Sequence, residues 1–237
     1  MKKLMLGVLA MASFVVTSCN QVQKNEPTMK ISKIDLTDRT IDEVFATISP
    51  EKIACCNWAE EYPYAPEVSF KMFHTGDKLY LRFDVAEQYT AARVTEDNGR
   101  VWTDSCCEFF LSLDGKAYYN IETSCIGHML VDYHPTGTSD KIRAGEEIFS
   151  QVERISTLGT EPFEERIGDN RWSLTLILPP AVMHQHNIES WDGLKLTANL
   201  YKCGDNLSHP HFLSWKPIVL PKPRFHCPEF FKPIEME

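Results

Sequence analysis

The stretch Cys106-Cys107-Glu108-Phe109-Phe110-Leu111-Ser112-Leu113-Asp114-Gly115-Lys116-Ala117-Tyr118-Tyr119-Asn120-Ile121-Glu122-Thr123 decides the fold class. Cys107, Phe109, Leu111 and Leu113 fall at every second position, Asp114-Gly115 marks a turn, and Tyr119, Ile121 and Thr123 resume the alternation. That pattern reads as a β-hairpin. Neighbouring side chains on a strand point to opposite faces, so Glu108 turns away from Phe109 and Leu111, and Asn120 and Glu122 turn away from Tyr119 and Ile121. For those polar groups to share one face, residues of equal parity must stand opposite each other, which requires an odd-length loop such as Asp114-Gly115-Lys116.

The same period extends in both directions. Val68, Phe70 and Met72 alternate with polar residues, a Gly-Asp turn lies within His74 to Lys78, and Leu79, Leu81, Phe83 and Val85 follow as the second half of another hairpin. Further along, Trp172, Leu174, Leu176 and Leu178 form one side of a strand stopped by Pro179-Pro180, and Leu194, Leu196, Ala198 and Leu200 form one side of a later one. Helical spacing is confined to Ile41, Val44, Phe45 and Ile48, opened by the capping-box form Thr40-Ile41-Asp42-Glu43. With so few helices between strands, parallel crossovers are excluded in favour of an all-β, antiparallel, jelly-roll-like β-sandwich with one or two short helices. The charged segment 134–170 reads as loop with one or two strands.

Composition limits the partners. Among 237 residues, 24 Lys plus Arg face 33 Asp plus Glu, a net charge of -9, so there is no basic footprint for a phosphate backbone and no nucleic-acid partner is expected. No G-x-G-x-x-G or Walker loop occurs, which removes dinucleotide and ATP chemistry. Lys2 and Lys3 precede an apolar run from Leu4 to Val16 and then Thr17-Ser18-Cys19, the layout of an export signal. Val16-Thr17-Ser18-Cys19 resembles the lipobox of bacterial lipoproteins, which makes residues 1–18 a lipoprotein signal peptide and Cys19 the lipid attachment point. Residues 19–29 then read as a tether and 30–237 as the working domain, anchored by lipid to the bacterial outer membrane or cell surface, on either membrane face. The other cysteines include the adjacent pairs Cys55-Cys56 and Cys106-Cys107, which set no regular disulfide framework. In a strand, Cys106 and Cys107 face opposite ways as small hydrophobes, and the lack of CxxC spacing argues against zinc.

Three stretches together resemble the family 9 carbohydrate-binding modules. They are Pro66-Glu67-Val68-Ser69-Phe70 continuing to Leu79-Tyr80-Leu81-Arg82-Phe83; Val101-Trp102-Thr103-Asp104 through Phe110, with Tyr118-Tyr119-Asn120-Ile121-Glu122; and Tyr201-Lys202-Cys203-Gly204 followed by His211-Phe212-Leu213-Ser214-Trp215 and Pro223-Arg224-Phe225-His226. The likeness covers roughly residues 30 to 235. It implies a β-sandwich that binds poly- or oligosaccharide without catalysis, holding a pyranose between two tryptophans, in proteins associated with glycan capture or breakdown. Residue by residue it implies Trp102 and the carboxylate six positions later, Glu108, as ligand contacts, Trp215 as the second tryptophan and Asn120 as a polar contact. An arginine found near Asn120 in some members is absent here. A structural calcium is also allowed by the resemblance, with ligands the sequence does not place.

The residues themselves suit that chemistry. A pyranose has apolar C–H faces and an equatorial rim of hydroxyls, so a site needs flat aromatic surface and hydrogen-bonding groups around it. Trp102 follows the turn-like run Asp97-Asn98-Gly99-Arg100 and Trp215 precedes Pro217, positions at a sandwich rim, with core packing as the competing reading of each. Trp172 shares an apolar strand side and reads as core. Glu122, Arg82, Thr197 and Asn199 oppose the apolar sides of their strands and either line the sugar face or form a solvated one. Glu108, Glu122 and Asp104 also allow an O-glycosyl hydrolase acting on xylan- or glucan-type chains. A third alternative is a haem-binding sandwich with Met72, Met129 and His128 as ligands.

Overall fold

A computed structural model describes residues 27–237 of the chain. The export signal, the Cys19 attachment point and most of the tether expected from the sequence lie outside the described residues. In chain order the strands are β1 (Met29–Ile31), β2 (Glu51–Lys52), β3 (Glu67–His74), β4 (Leu79–Ala92), β5 (Cys106–Ser112), β6 (Tyr118–Ser124), β7 (Met129–His134), β8 (Ile142–Arg143), β9 (Glu153–Ser156), β10 (Phe163–Leu178), β11 (Lys195–Cys203), β12 (Phe212–Ser214) and β13 (Lys232–Met236). Two short helices join them, α1 (Ile41–Thr47) and α2 (Glu146–Phe149). No helix among the described residues is long and apolar enough to cross a membrane.

The strands form two sheets. One has eight strands in the order β1-β13-β11-β5-β6-β7-β8 with β12 added beside β11; the other has five in the order β2-β3-β4-β10-β9. All pairs are antiparallel except β1 with β13, and a parallel bridge from Lys33 to His74 carries the chain on from that pair to the second sheet. Alternation sorts the side chains as the sequence requires. Phe109, Leu111, Ile121, Val131, Ala198 and Leu200 from the larger sheet meet Phe70, Leu81, Phe83, Leu174 and Leu176 from the smaller in one inter-sheet core. The structure is therefore an antiparallel β-sandwich, and α1 carries the capping box, Thr40 accepting from the Glu43 amide while the Glu43 carboxylate accepts from that of Thr40.

The β5–β6 hairpin has the equal-parity register that a shared polar face demands, Glu108 opposite Glu122 and Phe110 opposite Asn120. The strand ends leave a longer odd loop than the three residues expected. Gly115 takes φ 73 within it, and Asp114 Oδ1 accepts from the amides of Lys116 and Ala117 at 2.8 and 2.9 Å. Segment 134–170 contains β8, α2, β9 and the first half of β10, which extends well ahead of Trp172. That half is mostly exposed and broken by register shifts, so it carries no apolar alternation to read.

The face of the larger sheet that turns away from the core is not a solvated surface. Cys106, Phe110, Tyr118, Leu130, Tyr201 and Cys203 project from it into a second apolar cluster, closed by Trp58, Ile218, Phe225 and Phe231 from two long loops. Trp58 Nε1 donates to the Leu220 carbonyl at 2.7 Å and ties the loops together. As a result β5 and β6 are buried on both faces along their whole length. Cys106 and Cys107 enter different clusters, as their adjacency on a strand predicts, and all cysteines among the described residues are free.

Candidate functional site: a cleft over β5, β6 and β7

An opening of about 360 Å³ remains between that capped face and its loops. Trp102, Glu108, Asn120 and Glu122 all line it, together with Asp132, Asp205, Phe225 and His226. Trp102 is held at the rim by the single 3-10 turn Val101–Thr103, whose Val101 is wholly buried. Just beyond it the buried Asp104 accepts from the Arg93 and Val94 amides at 2.6 and 2.8 Å, fastening the turn to the end of β4. The Trp102 carbonyl accepts from the Asp205 amide at 3.1 Å, and the Arg100 guanidinium sits 5.6 Å from the indole centre. The indole itself stays partly exposed.

The polar floor is buried, and Lys141 and Arg143 beside it pair with Asp132. Glu108 and Glu122, 3% and 4% exposed, are Cα partners on adjacent strands. Burial, reinforced by the Glu122 charge, pushes the Glu108 carboxyl well above the ordinary range. Burial likewise pushes Glu122 up to about 7, against the pull of a 2.7 Å hydrogen bond donated by Asn120 Nδ2 to its Oε1. Glu122 Oε2 has no protein partner. Because Asn120 spends its amide on Glu122, its Oδ1 is the acceptor toward His134 Nε2 at 2.9 Å, so that nitrogen carries the proton. Asp132, opposite Asn120 on β7, behaves differently: burial raises its carboxyl, but bonds from Arg143 and Lys141 outweigh this and hold it below its ordinary value. The floor thus offers two carboxyl groups biased toward the neutral form, able to donate as well as accept, beside one tightly paired carboxylate.

Two expected site residues do not join this cleft. Trp215 is 6% exposed and packs in the inter-sheet core, its ring edge-on to Phe70 at 5.6 Å and its Nε1 donating to Glu51 Oε2 at 3.1 Å. It shares parity with the core residue Leu213 just before it, a signal that outranks its proline-flanked setting. Arg82 does turn away from the core, but on the smaller sheet, and the outer faces of a sandwich's two sheets look in opposite directions. There it bonds Asp84 and Asp42 and lines a wider groove of about 850 Å³, an open surface without the buried carboxyls of the smaller cleft. The aromatic surface accompanying Trp102 comes instead from Phe225, stacked on Tyr201 at 4.1 Å, and from Phe212.

Sequence reading missed Asp132, His134, Asp205 and His226. Asp132 and His134 were accessible to the parity rule, since β7 alternates Val131 inward with Asp132 outward. Asp205 and His226 sit on loops, where no period operates. The haem reading fails on placement: Met72 and Met129 are buried in the inter-sheet core, and His128 pairs with Asp97. Of the buried acids, Asp104, Asp132 and Glu87 are taken up by amides or cations, and Glu108 joins Cys106 and Cys203 in the one converging set of three His, Cys, Asp or Glu ligand atoms among the described residues.

A profile of carbohydrate-binding family 9 matches residues 38–236. The chain belongs to that family. As a family 9 member it is also similar to a Bacteroides uniformis protein assigned provisionally as carbohydrate-binding, with 39% identity and a TM-score of 0.82 over 89% of this chain and 99% of that one. Two structures of a family 9 module from Caldicellulosiruptor kristjanssonii, one in complex with glucose and one with cellotriose, share the fold at 10% identity and a TM-score of 0.54. They cover 89% of this chain and 96% and 94% of the module. Among curated proteins none matches the chain.

Proposed function

We propose that this family 9 protein binds a pyranose of a poly- or oligosaccharide in the β5–β6–β7 cleft without catalysing its cleavage. Trp102 provides the stacking surface, and Glu108, Asn120 and Glu122 bond the equatorial hydroxyls. The convergence of one half-exposed tryptophan with three buried polar side chains carries this reading. A neutral sugar brings no charge, so stacking on an indole and a few oriented donors and acceptors must supply the affinity, and exclusion of water strengthens each of them. The glucose and cellotriose complexes of the Caldicellulosiruptor module support a gluco-configured ligand. A glycan array followed by affinity electrophoresis tests it. The wild type is expected to be retarded by the matching glycan and folded Trp102→Ala to migrate freely; retardation that survives the substitution removes Trp102 from the site.

The same proposal includes an export signal over residues 1–18, lipidation of Cys19 and display at the outer membrane or cell surface. The order Lys2-Lys3, apolar run, Val16-Thr17-Ser18-Cys19 supports it. Metabolic labelling with an alkyne fatty acid is expected to mark the wild type and to spare Cys19→Ser.

A further inference from the structure

Cys106 and Cys203 are far apart in sequence, yet the antiparallel β5–β11 register sets them directly opposite each other as Cα partners. Glu108, two residues on from Cys106, projects from the same face. One ligand atom from each of the three, two Sγ and a carboxylate oxygen, lie within 4.8 Å of one another, and all three side chains are buried. Cys203 Sγ is 3.1 Å from Glu108 Oε1. Both cysteines are free, so both sulfurs are available as ligands.

We propose that Cys106, Cys203 and Glu108 form a binding site for a thiophilic divalent cation of the zinc class, at the floor of the cleft. Tetrahedral zinc with bonds of about 2.3 Å to sulfur and about 2.1 Å to oxygen needs ligand atoms some 3.5 to 3.8 Å apart. The three ligand atoms lie close to that spacing, within 4.8 Å of one another, and Cys106 and Cys203 are held opposite each other by the strand ladder. Two sulfurs and one oxygen select zinc or cadmium over calcium or magnesium, which demand an all-oxygen shell. Three protein ligands leave a fourth position, and Glu108 and Cys203 both line the cleft, so that position opens toward solvent and the Asp205 carboxyl. Binding displaces the protons held by the two thiols and by the Glu108 carboxyl and releases them to solvent as two thiolates and a carboxylate take the cation. The missing CxxC spacing is no obstacle, because strand pairing brings the sulfurs together where local spacing does not.

The site does not depend on sugar binding, although the two uses share Glu108. Cobalt(II) added to the reduced, purified full-length protein reports on it directly, through thiolate-to-cobalt charge transfer in the near ultraviolet and tetrahedral bands in the visible. We expect one equivalent to develop both bands, zinc to bleach them, Cys106→Ser and Cys203→Ser each to lose at least half the charge-transfer intensity, and Cys55→Ser to keep all of it. Should a serine variant fail to fold by circular dichroism, Glu108→Gln keeps both sulfurs and is expected to retain charge transfer with shifted visible bands. Absence of charge transfer in the folded wild type, full intensity in folded Cys203→Ser, or a Cys106–Cys203 disulfide persisting under reductant overturns the proposal. Trp102→Ala is expected to keep the cobalt bands while losing glycan retardation, which separates failure of this site from failure of the sugar reading.

Discussion

Lys202 Nζ lies 2.8 Å from Glu87 Oε2, and neither side chain has any solvent exposure. The pair links the end of β11 in one sheet to β4 in the other. Its remaining valences are filled: Lys202 also donates to the Cys203 carbonyl at 2.9 Å and to His211 Nε2 at 2.8 Å, while Glu87 Oε1 accepts from Trp172 Nε1 at 2.9 Å and Thr90 Oγ1 at 3.1 Å. His211, an acceptor at Nε2, holds its proton on Nδ1 toward the His209 carbonyl. Removing one charge strands the other. Lys202→Met is expected to cost about 3 to 5 kcal/mol in urea unfolding, and Lys202→Met combined with Glu87→Gln to recover part of that loss. Equal stability of the single and double variants would show that the stranded carboxylate is not the source of the cost.

His226 Nδ1 lies 3.0 Å from the Tyr118 hydroxyl, and burial, with the nearby His134, pushes its pKa down to about 4. The unfolded chain therefore binds a proton near pH 6.5 that the folded chain refuses until about pH 4. Stability should be fully present above pH 6.5 and fall as the pH is lowered through that window, by about 3 kcal/mol from this residue. His134, His184 and His211 are lowered too and add to the slope with the same sign. Urea midpoints at pH 7.5 and pH 4.5 should differ less in His226→Gln than in the wild type; an unchanged difference would place the acid sensitivity elsewhere.

The two tryptophans first paired by sequence should separate in experiment. Trp215→Ala empties a core position and is expected to cost about 3 to 5 kcal/mol, while the folded fraction keeps its glycan retardation. Trp102→Ala, at a half-exposed rim, is expected to do the reverse. Calorimetric melting and affinity electrophoresis on the same preparations read both effects.

Asp104 acts on the site through the turn that carries Trp102. Asp104→Ala orphans the Arg93 and Val94 amides, for an expected loss of about 1 to 3 kcal/mol each if they stay dry. Glycan affinity should weaken along with melting temperature. Asp104→Asn keeps one acceptor and should restore much of both, a rescue that a general loss of core packing would not show.

The strand periods made most of the sandwich legible, because a face buried against another sheet imposes strict alternation on both hairpins and on β11. That Glu108, Asn120 and Glu122 share a face followed from parity and an odd-length turn, while the resemblance singled out Glu108 and Asn120 as contacts. Parity also held what was overlooked at Trp215, whose step of two from Leu213 sends it into the core. Arg82 went astray for a different reason: alternation states that a side chain faces outward but not which outer face of a two-sheet stack receives it. The loop-borne partners of the cleft, Asp205, Phe225 and His226, have no period at all, and their position depends on how the two long loops close over the sheet. That closure turned an apparent polar surface into a buried floor, and with it the carboxyls that titrate far from their usual values.

The parallel pairing of β1 with β13 is followed within two residues by the bridge to β3. Residues 29–33 thus fasten the start of the described chain to both sheets, to β13 of the larger through β1 and to β3 of the smaller through Lys33.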